Sequence, residues 1–220
     1  MSNYYMHNLS YSLGSIRRTV EESSKANTFS SVKLLRGSGF ENHYMADDNE
    51  SVLDLAIKAV EPIRKKLNKL DSIIWATCLP ENATIGSRQQ FEKTKDVKPL
   101  MDYPASRLQT YLSASEAIVL GVGQQACTSM LGSIRVACGL LATENTFNNI
   151  LCITSDRFPK GAKYEQAYNL ISDGAACCVV TKEQKEFRII GSHHITNGAA
   201  VQANDEETAA VYFTYMNRIV

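Results

Sequence analysis

One stretch, Ala117–Glu144 (AIVLGVGQQACTSMLGSIRVACGLLATE), holds the residues best placed to do chemistry. It opens as an apolar run rich in β-branched residues, passes Gly121 and Gly123, reaches Cys127, and continues as a long segment of small and apolar residues without proline. This pattern predicts strand, tight turn and buried helix. The change of period falls at Gln124–Thr128, so Cys127 stands at or just before the first helical turn. A thiol there faces unpaired N–H groups and the positive end of the helix dipole, which favour thiolate over thiol. The chemistry on offer is nucleophilic attack with formation of a covalent intermediate. The competing reading is a packed thiol, because free cysteine is among the most buried residue types.

The same stretch spells Gly121-x-Gly123-x-x-Ala126, a loose dinucleotide fingerprint in the required place between a strand and a helix. That fingerprint wants an acidic residue at the end of the next strand. Here the next strand, Asn149–Ser155, leads to Asp156, about ten residues later than the motif asks.

The composition narrows the function classes. Twenty-three basic and twenty-three acidic residues cancel, and no segment clusters Lys and Arg with interleaved aromatics, so neither nucleic acid nor an anionic membrane surface is indicated as partner. The six cysteines, at positions 78, 127, 138, 152, 177 and 178, show no C-x-x-C spacing. They suggest no metal site and are expected to be reduced, as in a cytoplasmic protein. Adjacent Cys177 and Cys178 should point to opposite faces of a strand. The N-terminus has no basic segment followed by an apolar one, so no signal peptide is expected. Between Glu116 and Arg135 lie eighteen uncharged residues, but Gln124, Gln125, Thr128, Ser129 and three glycines make that window too polar for a membrane span.

The elements that would position Cys127 follow α/β grammar. Tyr4–Tyr11 is expected to be a strand, turned by Leu13-Gly14, and Glu21–Ser38 a short helix with an irregular connection. Ser51 with Asp54 reads as a capping box, opening a helix to Leu67 with apolar positions at Val52, Leu55, Ala56, Ala59, Val60, Ile63 and Leu67. Ser72–Cys78 is a nearly continuous apolar run, as for a strand buried on both faces. Pro80–Asp102 reads as a polar surface excursion, and Tyr103-Pro104 opens a helix to about Ser115. Beyond the central stretch, Ile150–Ser155 is a predicted strand, Arg157–Ala167 a loop and Ser172-Asp173-Gly174 a turn. Ala175–Thr181 and Phe187–Ile195 are predicted to pair as an antiparallel hairpin across the charged KEQKE turn, with His193 and His194 on alternate faces. Asp205 starts a last helix. Thr128–Thr143 carries one charge, Arg135, and must be covered all round, which a single sheet cannot do.

Together these residues resemble the first half of a β-ketoacyl-acyl-carrier-protein synthase III, a condensing enzyme of the thiolase superfamily. Arg36-Gly37-Ser38-Gly39-Phe40 with His43 resembles the family's Arg-Thr-Gly-Ile segment and its continuation. Ser51–Leu67 followed by Ile73–Thr77 is similar to its helix and strand, and Tyr103-Pro104-Ala105 to the segment opening the next helix. Gln125-Ala126-Cys127 resembles its Ala-Ala-Cys, whose cysteine is the nucleophile, and Ile171–Ala175 resembles its Phe-Gly-Asp-Gly-Ala.

The resemblance implies a thiolase-like α/β fold: a mixed sheet and a buried central helix in the N-terminal half (1–204) of a five-layer αβαβα architecture, with 205–220 starting a truncated second half. It implies acyl transfer through a thioester on Cys127, an acyl-coenzyme A or acyl-carrier-protein substrate, no cofactor, and a dimer paired along the strand ending near Gln125, or a complex with a second-half chain. The family's catalytic histidine and asparagine come from the second half. His7, His43, His193 and His194 do not match them and read as structural or surface residues. The coenzyme A-binding tryptophan of the family is replaced near Val32, and Pro80–Asp102 is longer than its counterpart. Two other readings stand beside this one: a non-catalytic partner of a complete synthase, and a dinucleotide-binding domain. A half-fold would also leave wet a patch built from some of Met130, Leu131, Ile134, Ala137, Cys138 and Leu141.

Overall fold

The structure, a computed structural model, describes residues 3–23, 28–67, 69–166, 169–198, 207 and 210. The chain forms two units, Met1–Arg188 and Ile189–Val220. The first begins with β1 (Tyr4–Leu13), β2 (Ile16–Thr19), α1 (Val20–Ser23), α2 (Val32–Gly37) and β3 (Asn42–Met45). Gly14 ends β1 where a Cβ would lie 2.3 Å from the Met45 carbonyl carbon, so only glycine fits.

The predicted capping box is present: Ser51 and Asp54 exchange hydrogen bonds and open α3 (Val52–Val60). The helix is shorter than its apolar stripe, because Pro62 has no N–H to give Lys58 and the chain tightens to a 3₁₀ helix over Glu61–Lys66. Next is β4 (Ser72–Ala76), buried at every residue as expected. The polar excursion holds a helix the sequence reading missed, α4 (Arg88–Thr94), capped by Ser87 and with no buried residue. Without an apolar stripe it left no periodic signal. Then come α5 (Pro104–Tyr111), β5 (Ile118–Val122), α6 (Ser129–Thr143), β6 (Asn149–Asp156), the two-residue strands β7 (Glu165–Gln166) and β8 (Asn169–Leu170), β9 (Gly174–Thr181) and β10 (Phe187–Ile189).

Six strands form one mixed sheet in the order β10-β1-β9-β6-β4-β5. β4 is parallel to β5 and β6, while β9 is antiparallel to β6 and β1. The hairpin expected between Ala175–Thr181 and Phe187–Ile195 is corrected, since β1 lies between β9 and β10. The charged segment 182–186 spans a neighbour rather than turning tightly, a long-range pairing that local patterning does not report. Strand β10 stops at Ile189, so His193 and His194 are not on a strand. The expected helix from Asp205 lies outside the described residues except Glu207 and Ala210, both helical.

Helix α3 packs on β1, β6 and β9 with α5 beside it, and α6 packs on β4, β6 and β9 from the opposite side. The sheet is thus sandwiched, with Leu55, Ala56, Ala59, Ile73, Leu108, Leu151 and Ile153 in the larger core. Cys177 and Cys178 do alternate: the Cys177 sulfur faces the Ala59 carbonyl at 3.7 Å, while Cys178 neighbours Cys138 and Cys152.

Complete coverage of α6 does not hold within the described residues. Ser129, Gly132, Ser133, Ala137 and Leu141 are buried, and Leu131, Arg135 and Val136 are exposed. Ala137 and Leu141 therefore leave the expected wet patch, and Leu131 stays in it. Ala126–Thr143 is long and apolar enough to cross a membrane by length and composition alone. Its inner face lies on the sheet, as in the core helix of a globular fold.

Candidate functional site

The site forms where β4 and β5 end and α6 begins. Beyond β5 the backbone passes Gly123 and turns through Gln124 (φ 61°) and Ala126 (φ 45°), both left-handed and neither glycine. Such residues cost about 1–3 kcal/mol each and persist where the surroundings hold them. Here the Thr128 N–H and hydroxyl both donate to the Gln125 carbonyl, at 3.0 and 2.7 Å. Ser129 Oγ, buried, lies 2.8 Å from the Ala126 carbonyl and 2.8 Å from the Thr77 carbonyl at the end of β4. The Gln125 side chain lies over Gly132, where a Cβ would meet Gln125 Oε1 at 2.0 Å. Cys127 sits in a single 3₁₀ turn, Ala126–Thr128, directly before the 15-residue α6, as the spacing predicted, and it is exposed.

Opposite it the loop after β4 is held by one carboxylate. Asp156, at the end of β6, accepts from Thr77 Oγ1 (2.6 Å), the N–H groups of Cys78 (2.9 Å) and Leu79 (3.1 Å), and Asn82 Nδ2 (2.8 Å). Both oxygens are occupied, so the residue nearest to the acidic partner of a dinucleotide fingerprint is committed to loop structure. No local pattern of residues signals this pinning. The clamp sets Cys78 beside Cys127, and burial, reinforced by the neighbouring Cys127 and Asp156, pushes the Cys78 thiol up to about 11.

A cavity of about 440 Å³ opens at these thiols, lined by Cys78, Cys127, Met130, Thr154, Phe158 and Ile171 among others. A larger one of about 560 Å³, between Trp75, Tyr103 and Val122, shares Cys78 but does not contain Cys127. Among the described residues no histidine lines either cavity. His43 is buried, shares a 2.5 Å hydrogen bond with Ser23 Oγ and packs at a tilt against the Tyr164 ring, and burial lowers its pKa. Arg36 forms a two-pronged pair with Glu21 at the surface. No group of three or more Cys, His, Asp or Glu that could hold a metal is found among the described residues.

The Ser172-Asp173-Gly174 turn supports the site from behind. Buried Asp173 accepts from the Ala46 N–H (2.8 Å), the Phe158 N–H (2.8 Å) and the Tyr164 hydroxyl (2.9 Å). Phe158 in the cavity wall is thereby tied, through Asp173, to the residue that follows β3 and the turn that precedes β9.

Residues 123–198, which carry both the Cys127 turn and this Asp173 turn, match the family model for 3-oxoacyl-[acyl-carrier-protein (ACP)] synthase III. Solved structures agree on the fold. A 3-oxoacyl-ACP synthase III from Aquifex aeolicus VF5 is 19% identical with a TM-score of 0.63, over 83% of this chain and 55% of that one. Another 3-oxoacyl-ACP synthase III is 20% identical with a TM-score of 0.67, over 90% of this chain and 56% of that one. The curacin-pathway HMG synthase in complex with acetyl donor-ACP is 14% identical, with a TM-score of 0.63 over 89% and 46%. The chain thus has the thiolase-like α/β fold and spans about half the length of these structures. No curated protein matches it.

Proposed function

We propose that the chain is the N-terminal part of a 3-oxoacyl-ACP synthase III-like acyltransferase and that Cys127 is its acyl acceptor. The observation that carries this is the placement of Cys127: an exposed thiol, on a turn held by two left-handed residues, at the mouth of a cavity and at the foot of a long helix. The Cys127 sulfur attacks the carbonyl carbon of an acyl-coenzyme A or acyl-ACP thioester. Backbone N–H groups at the start of α6 then receive the oxyanion, and the donor thiol leaves. The apolar walls, Met130, Phe158 and Ile171, suit an acyl chain.

In the complete enzyme the acyl group passes to a second substrate by decarboxylative condensation or simple transfer. That step needs a proton-handling group, and no histidine lines the Cys127 cavity among the described residues. The 220-residue chain is therefore expected to self-acylate without condensing. The six free thiols suit a cytoplasmic location.

Incubation with an acyl-coenzyme A, followed by intact-mass and peptide mapping, tests the reading. A hydroxylamine-labile acyl adduct on Cys127, abolished in Cys127→Ala, supports it. No adduct from either thioester class sinks it and favours a non-catalytic partner subunit.

A further inference from the structure

Two of the six thiols are brought together at the site although 48 residues separate them in the sequence. Cys78 follows the last residues of β4, and Cys127 precedes α6. The Ser129–Thr77 hydrogen bond of 2.8 Å joins those backbones one residue from Cys78 and two from Cys127. Both residues line the same cavity, and Cys127 is near enough to Cys78 to raise its pKa. The other neighbouring thiols are Cys138, Cys152 and Cys178: Cys152 stands opposite Cys178 in the β6–β9 register, both are buried, and Cys138 beside them is half-buried. Only the first pair includes an exposed thiol.

We infer that Cys78 is the resolving thiol for Cys127: a hydroperoxide oxidises Cys127, and Cys78 then closes a reversible disulfide that takes the nucleophile out of use. In the first step the Cys127 sulfur attacks one peroxide oxygen. The S–O bond forms, the O–O bond breaks, and the departing oxygen leaves as water or an alcohol. The sulfur has lost two electrons and is a sulfenic acid. In the second step the Cys78 sulfur attacks that sulfenic sulfur, the S–S bond forms and the S–O bond breaks. The hydroxide released takes the Cys78 proton and leaves as water. With hydrogen peroxide the balance is two thiols and one peroxide to one disulfide and two waters, and a dithiol reductant reverses it.

The order of events follows from the surroundings of the two sulfurs. Cys127 is exposed and meets the oxidant first, whereas Cys78 is half-buried and held protonated by its raised pKa of about 11. Asp156 fixes the loop from Thr77 to Asn82, so Cys78 does not have to search for its partner. A resolving thiol also spares Cys127 from the irreversible sulfinic and sulfonic states.

The inference extends the reading of Cys127 as acyl acceptor, and its test separates the two. The purified chain is treated with hydrogen peroxide near one equivalent, quenched with iodoacetamide and mapped under non-reducing conditions. A Cys78–Cys127 cross-linked peptide is expected, about 2 Da lighter than the sum of the two thiol peptides and lost on dithiothreitol treatment. In Cys78→Ala the cross-link vanishes and Cys127 proceeds to sulfinic acid. Sulfinic acid at Cys127 of the wild-type chain with Cys78 still alkylated overturns the proposal, as does a disulfide from Cys127 to another cysteine. Should Cys78→Ala fail to fold, the wild-type map decides alone. A chain that forms the disulfide but takes no acyl group refutes the acyltransferase reading and leaves the dithiol standing. A chain that acylates but only over-oxidises refutes the dithiol.

Discussion

Ser129 Oγ lies 2.8 Å from the Thr77 carbonyl, tying the helix that begins beside Cys127 to the strand that delivers Cys78. The bond is buried and spans 52 residues of sequence. Removing it leaves a buried carbonyl without that donor. Ser129→Ala is therefore expected to cost about 1–3 kcal/mol of stability, read from denaturant melts, and to slow Cys127 acylation because the turn loses its anchor. An unchanged midpoint with unchanged acylation would show that Gln125 and Thr128 hold the turn without it.

Among the six thiols Cys127 should alkylate first near neutral pH. Cys152, Cys177 and Cys178 are buried, and Cys78 is held protonated by burial. Limiting iodoacetamide followed by peptide mapping checks the order. Faster labelling of Cys78 or Cys152 would remove the basis for assigning the nucleophile.

Stability should fall at both ends of the pH scale for separate reasons. Burial alone would raise the Glu50 carboxyl, but the Lys58 ammonium and the Ser15 N–H and hydroxyl bind its charged form and hold it below the ordinary 4.5. Glu165 behaves alike, with burial outweighed by Ser30 and Phe29. A depressed carboxyl contributes stability above its unfolded pKa, and that contribution is lost as the pH drops below 4.5 and through the folded value. At the other end, burial and then Cys178 push the Cys177 thiol from 9.0 to about 12, so stability present below pH 9.0 declines as the pH rises toward about 12. Thermal melts across pH should show both limbs. Glu50→Gln should flatten the acid one and Cys177→Ala the alkaline one.

The parts of this architecture that were legible are those written locally. The Ser51–Asp54 box, the apolar run of β4 and the change of period before α6 each depend on residues close in sequence, and each stands where expected. What was not legible depends on partners far away. Nothing around Phe187 announces that β1 will separate it from β9, because strand pairing is decided by the whole sheet. Asp156 reads locally as a misplaced nucleotide ligand, whereas its oxygens accept from Cys78, Leu79 and Asn82. The tight turn stands after Gly121 and Gly123 as expected, but its left-handed residues are the non-glycines Gln124 and Ala126, which no local pattern marks. Glycine permits that conformation, but contacts made by Ser129 and Thr128 impose it.

The last prediction is that the chain does not persist as a soluble monomer. Leu131 is 61% exposed and Val136 37% on the outward face of α6, and Ile118 is 52% exposed on β5. Among the described residues strand β5 is one edge of the sheet, and an edge strand offers unpaired backbone groups along one side. Soluble monomers seldom leave apolar patches larger than roughly 300–600 Å² wet. At about 25 cal/mol per Å², a patch of that size forgoes on the order of 10 kcal/mol, as much as a whole domain's stability. Association along the β5 edge and the α6 face, with a second copy or with a chain supplying the other half of the fold, recovers it. Sedimentation velocity at micromolar concentration should show a dimer or larger species for the chain alone. Leu131→Glu should shift it toward a smaller, less stable one. A single monomer-sized boundary that melts cooperatively would show that the outward face of α6 is covered from within the chain.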